Sequence, residues 1–351
     1  MAAITQPLAH KNYMLSQFEL LRRIDPTGKA AAIAEVLNEN NEVLQDVVFK
    51  EGNLPTGDEQ TIRTGLPDVY WRQINRGVPA SHSTTASVTE TCAELAARAQ
   101  LDVKAASLNG LTAAFRASED APFIESMGQS FAREIFYGDV KKAAEGFTGL
   151  ATRYSTLDPS VAKNAKNVID CGGSGNKLTS IYIIGWGDNV YCPFPKGSAL
   201  GLQSEDLGKS LVDDDLGNKY LAYVTMYSWN VGLMVRDWRY VVRLANINPD
   251  DLFAGKGIGA GDLKAAGSSN LLLKIEEGLM KIPAGGRKNL IMYMNGDVHA
   301  GINVVSARTN MQVTEFQTGI DKYGKQSAWG TFKGIPMRQC DQIVNTEKKV
   351  A

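Results

Sequence analysis

Residues 63–92 constrain the rest of the chain most. They read Arg63-Thr-Gly-Leu-Pro-Asp-Val-Tyr-Trp-Arg-Gln-Ile-Asn-Arg-Gly77 and then Ser83-Thr-Thr-Ala-Ser-Val-Thr-Glu-Thr-Cys92. Nothing in this stretch can do chemistry, and its turn formers, aromatics and arginines are the material of surface contact. Pro67 and Pro79 cannot donate to a strand ladder, which confines residues 61–91 to loops and edge strands. The stretch is predicted to be a long two-stranded excursion, poor in core residues of its own. Such a limb is marginal alone and needs a neighbour to lie on. A tryptophan exposed there would be costly, so Trp71 and Arg72, with Arg76 beyond them, are read as contacts to a second subunit.

The chain has 351 residues, enough for one large core or two modest ones. Lys+Arg number 37 against 38 Asp+Glu, a net charge of -1, so no strong field draws nucleic acid or an acidic membrane. The first ten residues lack a basic region and a long apolar run, and the reading is that they are no secretory signal. No window approaches the roughly 18 apolar residues of a spanning helix. Cys92, Cys171, Cys192 and Cys340 have no pair spacing and are expected to be free buried thiols.

Residues 1–24 read as an extended arm, Asp25-Pro-Thr-Gly28 as a turn, and Ile33 to Val47 as an amphipathic helix. A strong helix is expected at 121–137, capped by Ser118, with Pro122 in its first turn, Gly138 at its end and Ile124, Met127, Phe131 and Ile135 as its stripe. Ile181–Ile184 reads as a buried strand and Asp213-Asp-Asp-Leu-Gly217 as a hairpin turn. Tyr227 to Val235 alternate with period two, and Val241–Leu244 resumes that pattern. Gly255–Gly261 marks a hinge or boundary. A helix from 268 to 282, a strand at Leu290–Met294 and a helix capped by Asn295 or Asp297 follow.

Candidate chemistry is thin. Gly172-Gly-Ser-Gly-Asn-Lys-Leu-Thr179 fails phosphate-loop spacing, since Lys must follow Gly directly and Ser or Thr must follow Lys. Gly255-Lys-Gly-Ile-Gly-Ala-Gly261 follows a turn, where a dinucleotide fingerprint needs a strand. His10, His82 and His299 have no partners at metal-ligand spacing. No catalytic residue, cofactor or metal is assigned. Arg236, Trp238 and Arg239 form a dense group, placed on a strand, that serves either subunit contact or a cation–π cap on the chain's own sheet.

Thr64–Arg72 and Ser83–Cys92 are joined by Thr112-Ala-Ala-Phe-Arg116, Asn167–Asp170, Phe194–Gly197, Val235–Arg243 and Gly334-Ile-Pro-Met-Arg338. Together these stretches resemble the major capsid proteins of short-tailed bacteriophages (podoviruses), the group that includes the Bordetella-phage-type subunit. The resemblance implies an α+β, Hong Kong 97-type capsid fold. Residues 1–50 would be an N-terminal arm and helix, 51–91 the E-loop, 92–261 a peripheral domain with a spine helix and long strands, and 262–351 an axial domain. The candidate strands at 181–247 precede the axial helices, so a permuted order is expected.

The function so implied is a structural subunit, not an enzyme, that assembles into hexamers and pentamers of an icosahedral head around double-stranded DNA. Its partners would be copies of itself, a cement or decoration protein, a portal, a scaffold and DNA held without specificity, with no membrane. It would reside in the virion after assembly in the host cytoplasm. Two rivals remain: a nucleotide-dependent α/β enzyme using the Gly-rich loops, and the shell of a cellular nanocompartment.

Overall fold

The computed structural model describes residues 41–107, 112–214, 216–254, 271–309, 314–315 and 330–351. The expected arm, the turn at 25–28, the first part of the amphipathic helix, the hinge at 255–261 and His10 lie outside them. The elements begin with α1 (Val43–Asp46), β1 (Phe49–Glu51), β2 (Gly57–Gly65), β3 (Thr84–Thr91), β4 (Ala93–Asp102), α2 (Val103–Ser107), α3 (Thr112–Tyr137) and α4 (Leu150–Arg153). Then come β5 (Val168–Asp170), β6 (Thr179–Gly185), β7 (Val190–Phe194), β8 (Gln203–Asp213), β9 (Lys219–Val231), β10 (Met234–Val235), β11 (Val241–Ile247) and α5 (Pro249–Ala254). The chain closes with α6 (Leu271–Lys281), β12 (Leu290–Met294), α7 (Gly296–Thr309), β13 (Thr314–Glu315), β14 (Thr331–Phe332) and β15 (Ile335–Gln339).

Two compact units emerge. The larger one holds the described residues of 41–94, 129–200 and 230–351. Its centre is a seven-stranded sheet in the order β13-β14-β15-β12-β6-β11-β5. The alternation of side chains along β6, β11 and β12 sends residues to two buried faces. Ile181, Ile183, Val242, Leu244, Met292 and Met294 join one core with Leu271, Ile275 and Leu279 of α6 and Val298 and Ile302 of α7. Gly278 lets α6 approach closely, because a Cβ there would stand 3.3 Å from Val242 and 3.4 Å from Ile183. Tyr182 and Tyr293 occupy the alternate positions and meet Phe136 of α3, at 5.0 and 6.2 Å between ring centroids. Both faces are therefore covered, which is why β6 and β11 are buried throughout.

One ionic group sits inside this unit. Arg243 is 4% exposed. It donates to Ser180 Oγ (3.0 Å), to the carbonyls of Ala151 (3.2 Å) and Tyr154 (2.8 Å), and to Glu347 (2.9 Å). Burial opposes its charge, but the neighbouring Tyr182 and Glu347 outweigh that and hold its pKa above the ordinary value. Glu347 also accepts from Tyr137 and Ser180. Asn246, in left-handed backbone at φ 59°, receives Val350 N–H (2.9 Å) and donates to Val350 O (3.0 Å), which stitches the last residues to the sheet.

The smaller unit includes residues 95–128 and 201–229. Its sheet has the order β4-β9-β8. Phe123 and Met127 of α3 pack with Ala99, Tyr227, Leu95 and Trp229. Arg116 fastens the helix, pairing with Asp206 at 2.9 Å and lying 4.7 Å over the Tyr223 ring. The turn expected at 213–217 does join β8 to β9 as an antiparallel hairpin.

The helix α3 departs from expectation at its start. It begins at Thr112, so Ser118 does not cap it and Pro122 lies inside. Proline has no N–H to give the carbonyl four residues earlier, and one such loss is tolerated in a helix held by packing. The stripe runs in steps of four through Phe123, Met127, Phe131 and Ile135. Ile124 lies about 100° around from Phe123 and is 46% exposed.

Candidate subunit-contact surfaces

Strands β2 and β3 form a two-stranded sheet of their own. Its register runs from Gly57 opposite Thr91 to Gly65 opposite Thr84. Beyond the buried Gly57 and Asp58 the strands are exposed or half-buried, because Thr, Ser, Glu and Arg alternate without an apolar face to bury. The base is closed by Cys92 N–H to Thr56 O (2.9 Å) and by Asn53, whose amide brackets Glu59. Between the strands, residues 66–83 form a loop whose one turn is at Ile74–Asn75. Asn75 takes φ 66°, a left-handed conformation that Asn tolerates. Arg72 Nε donates to Arg76 O (2.9 Å), and Ser81 Oγ donates to Asp68 O (2.9 Å), so the loop is tied to itself.

The large side chains of this loop have nothing beneath them. Trp71 is fully exposed, and Leu66, Val69 and Ile74 are 81%, 94% and 91% exposed. Trp71, Arg72 and Arg76 thus share one protruding loop.

Arg236, Trp238 and Arg239 lie elsewhere in the larger unit. They are not on a strand, as sequence reading placed them, but at a 3-10 turn, Trp238–Tyr240. The cause is local. Asp237 accepts from the Arg239 N–H (3.0 Å) and pairs with its guanidinium at 2.7 Å, which bends the backbone out of the extended form. Burial pushes the Asp237 pKa up, but the Arg239 bonds outweigh it and leave the carboxyl below its ordinary range. Trp238 O accepts from Tyr154 Oη (2.8 Å). These three residues line a cleft of about 790 Å³ whose other wall includes Ile62 and Arg63 of β2 and Lys163. Four cations and one carboxylate therefore face it, so it suits an anionic partner surface.

The Gly172–Gly175 loop runs into strand β6, with no helix N-terminus to aim at a phosphate. Gly172 N–H is used by Asp170 (2.9 Å). Burial pushes the Cys92 thiol up to about 11 and Cys171 to about 12, so neither is a nucleophile near neutral pH. All four cysteines are free thiols, three of them buried. No helix of the described residues is long and apolar enough to cross a membrane.

Sequence reasoning missed the groups that hold the hairpin to the body, Asp58, Glu90 and Arg153. Their signal is a cross-strand pairing that becomes visible only once the register is known.

No curated protein matches the chain. Among solved structures, a chain of bacteriophage Epsilon15 superposes with a TM-score of 0.66 at 27% identity, over 100% of this chain and 99% of that one. The capsid chain of bacteriophage JBD30 matches at 9% identity and a TM-score of 0.47, over 97% and 100%. A capsid chain of the native GTA particle matches at 10% and 0.46, over 64% and 95%. The α+β architecture is that of the Hong Kong 97-type phage capsid subunit. A family model described as "Major capsid protein GP7" matches residues 25–351. With a self-tied apolar loop that lacks any core of its own, a fold shared with a phage shell and a match across nearly its whole length, the chain belongs to the GP7 family of major capsid proteins, the structural subunits of phage heads.

Proposed function

We propose that this subunit closes its shell through the β2–β3 hairpin, acting as the E-loop (residues 51–91), which lies over a neighbouring copy. The remaining divisions follow: an arm and helix at 1–50, a peripheral domain with α3 as spine at 92–261, and an axial domain at 262–351. The residue-262 boundary falls within one sheet, which draws β5, β6 and β11 from before it and β12 and β15 from after it. The β8–β9 hairpin precedes β11, β12 and β15 along the chain, an order that supports a permuted version of the fold.

The observation that carries this reading is the bare loop. Leu66, Val69, Trp71 and Ile74 are exposed together, and an apolar cluster of that kind marks a contact surface. Trp71, Arg72 and Arg76 would anchor one contact, and Arg236, Trp238 and Arg239 another. Hexamers and pentamers repeat each contact many times, so interfaces that are weak singly become strong by closure. The near-neutral charge suits a shell that must release its packaged double-stranded DNA, held only by weak non-specific contact. A portal, a scaffold and a cement protein are the further partners, and assembly occurs in the host cytoplasm. The chain is read as carrying no catalysis.

The test is Trp71→Ala. Truncating an anchor of this kind costs about 2 kcal/mol or more per interface, roughly 30-fold in affinity. Since the side chain touches no core, the subunit should melt as wild type yet fail to form shells in sedimentation and electron microscopy. Normal shells from this variant would defeat the reading.

A further inference from the structure

Where the β2–β3 hairpin leaves the body, Asp58 and Glu90 stand directly opposite one another across the two strands. Side chains so paired point to the same face with Cβ atoms about 5 Å apart, and like charges there repel. A hairpin base built for its own stability would not place two carboxylates together. Each, however, is taken up by a different element of the body.

Glu90 is gripped at both oxygens by Arg153, at the end of α4, with Nη1–Oε1 at 2.5 Å and Nη2–Oε2 at 2.7 Å. The side chains are 16% and 15% exposed. Arg153 is itself fixed, because Nε donates to Thr148 O (3.1 Å) and Nη2 to Leu233 O (3.2 Å). Asp58 is 2% exposed and accepts from the Tyr191 hydroxyl of β7, from Asn53 N–H (3.2 Å) and from the Gln60 amide (3.2 Å). The hairpin's sheet contains two strands among the described residues, so no ladder to a third strand fixes its direction. One anchor would leave it free to pivot. Two anchors, on opposite strands and reaching separate body elements, remove that freedom.

We propose that Glu90–Arg153 and Asp58–Tyr191 form a two-point anchor that sets the direction in which the hairpin leaves the subunit, and through it the curvature of the shell. This rests on the hairpin being the limb that contacts a neighbour. Asp58, Glu90, Arg153 and Tyr191 are then positioning residues: they need touch no partner copy, yet they decide where Trp71 arrives. A small angular error at the base is multiplied along the nine residues of β2. A shell of one size requires that error to be small in every copy.

The experiment compares Arg153→Lys, Glu90→Gln and Tyr191→Phe with wild type and with Lys177→Ala, which breaks an exposed pair with Asp250 that includes no hairpin residue (68% and 63% exposed). Arg153→Lys keeps the charge but loses the two-toothed grip. Hydrogen exchange is read on unassembled subunits. Particle diameters are read by electron microscopy under conditions in which the wild-type chain forms shells. In each anchor variant, amides of β2 and β3 should exchange about tenfold faster or more, as expected for loss of a charge-assisted hydrogen bond. Amides of β6, β11 and β12 should be unchanged, and the single diameter class should be lost. Lys177→Ala should match wild type. Shells of normal, uniform diameter from a variant with a loosened hairpin would overturn the proposal, as would unchanged exchange in β2 and β3. Equal acceleration in β6 would reduce the pair to an ordinary stabilising contact and also overturn it. Uniform shells from Arg153→Lys while Trp71→Ala makes none would sink the anchor alone; normal shells from Trp71→Ala would sink the contact limb itself.

Discussion

Replacing Glu347 by Ala should be among the most damaging single changes in the larger unit. The residue lies near the end of the sequence, in a segment without helix or strand, where substitutions are usually mild. Yet its carboxylate accepts from Tyr137, Ser180 and Arg243, and the paired side chains are each 5% exposed. Removing it leaves the Arg243 guanidinium with Ser180 and two backbone carbonyls as partners and no counter-charge. Breaking a buried pair in this way costs about 3–5 kcal/mol, a large share of the roughly 5–15 kcal/mol that holds a protein folded. For a unit of this size the melting temperature should fall by about 10 °C. Thermal or urea unfolding of the unassembled subunit, followed by circular dichroism, measures it. Lys177→Ala gives the contrast, since an exposed pair is worth about 0–1 kcal/mol. A loss for Glu347→Ala no larger than that of Lys177→Ala would refute the reasoning. So would a double change, Arg243→Met with Glu347→Ala, whose cost is the simple sum of the two, because contacting charges couple by at least about 0.5 kcal/mol.

Gly278→Val should destabilise by about 1–3 kcal/mol, the usual cost of overfilling a packed core. The new carbon would press on Val242, Ile183 and Ile169 between α6 and the sheet, and the shift in urea midpoint reads it. His299 is 7% exposed, and burial lowers its pKa from the ordinary 6.5. The unfolded chain then binds the proton more readily. Stability should be full above about pH 6.5 and fall as pH drops through that value toward the folded pKa, and His299→Asn should flatten that slope in melts between pH 7.5 and 5.

What sequence made legible was whatever rests on period and punctuation. β6, β12 and the β8–β9 turn follow from runs and turn formers, and the hairpin follows from Pro67, Pro79 and the Thr-rich strands. The start of α3 was not legible, because Pro122 reads locally as a first-turn residue and only packing of Phe123 and Met127 lets the helix pass through it. The break in alternation at Arg236–Tyr240 is legible, but its form as a turn is not, because the deciding bond, from the Arg239 N–H to Asp237, is a matter of geometry. That Trp71, Arg72 and Arg76 lie on an excursion with little core beneath it is legible from the residues around them. The anchors were not. Asp58 and Glu90 are 32 positions apart and look like two ordinary surface acids until the register sets them face to face.

The buried charge and the hairpin anchor are also physically continuous. Arg243 donates to the carbonyls of Ala151, within α4, and of Tyr154, the residue that ends it, on either side of Arg153. Glu347 holds Arg243, Arg243 holds the turn of α4, and that turn presents the guanidinium that grips Glu90. Rigid groups joined in this order transmit displacement, because the packed core between them has no slack to absorb it. Glu347→Ala should therefore do two things that Gly278→Val does not: it should speed exchange in β2 and β3, and broaden the diameters of any shells that form, at temperatures well below its melt. At matched loss of stability, equal exchange in β2 and β3 for the two variants would mean that the tail of the chain holds the core together and leaves the hairpin's direction untouched.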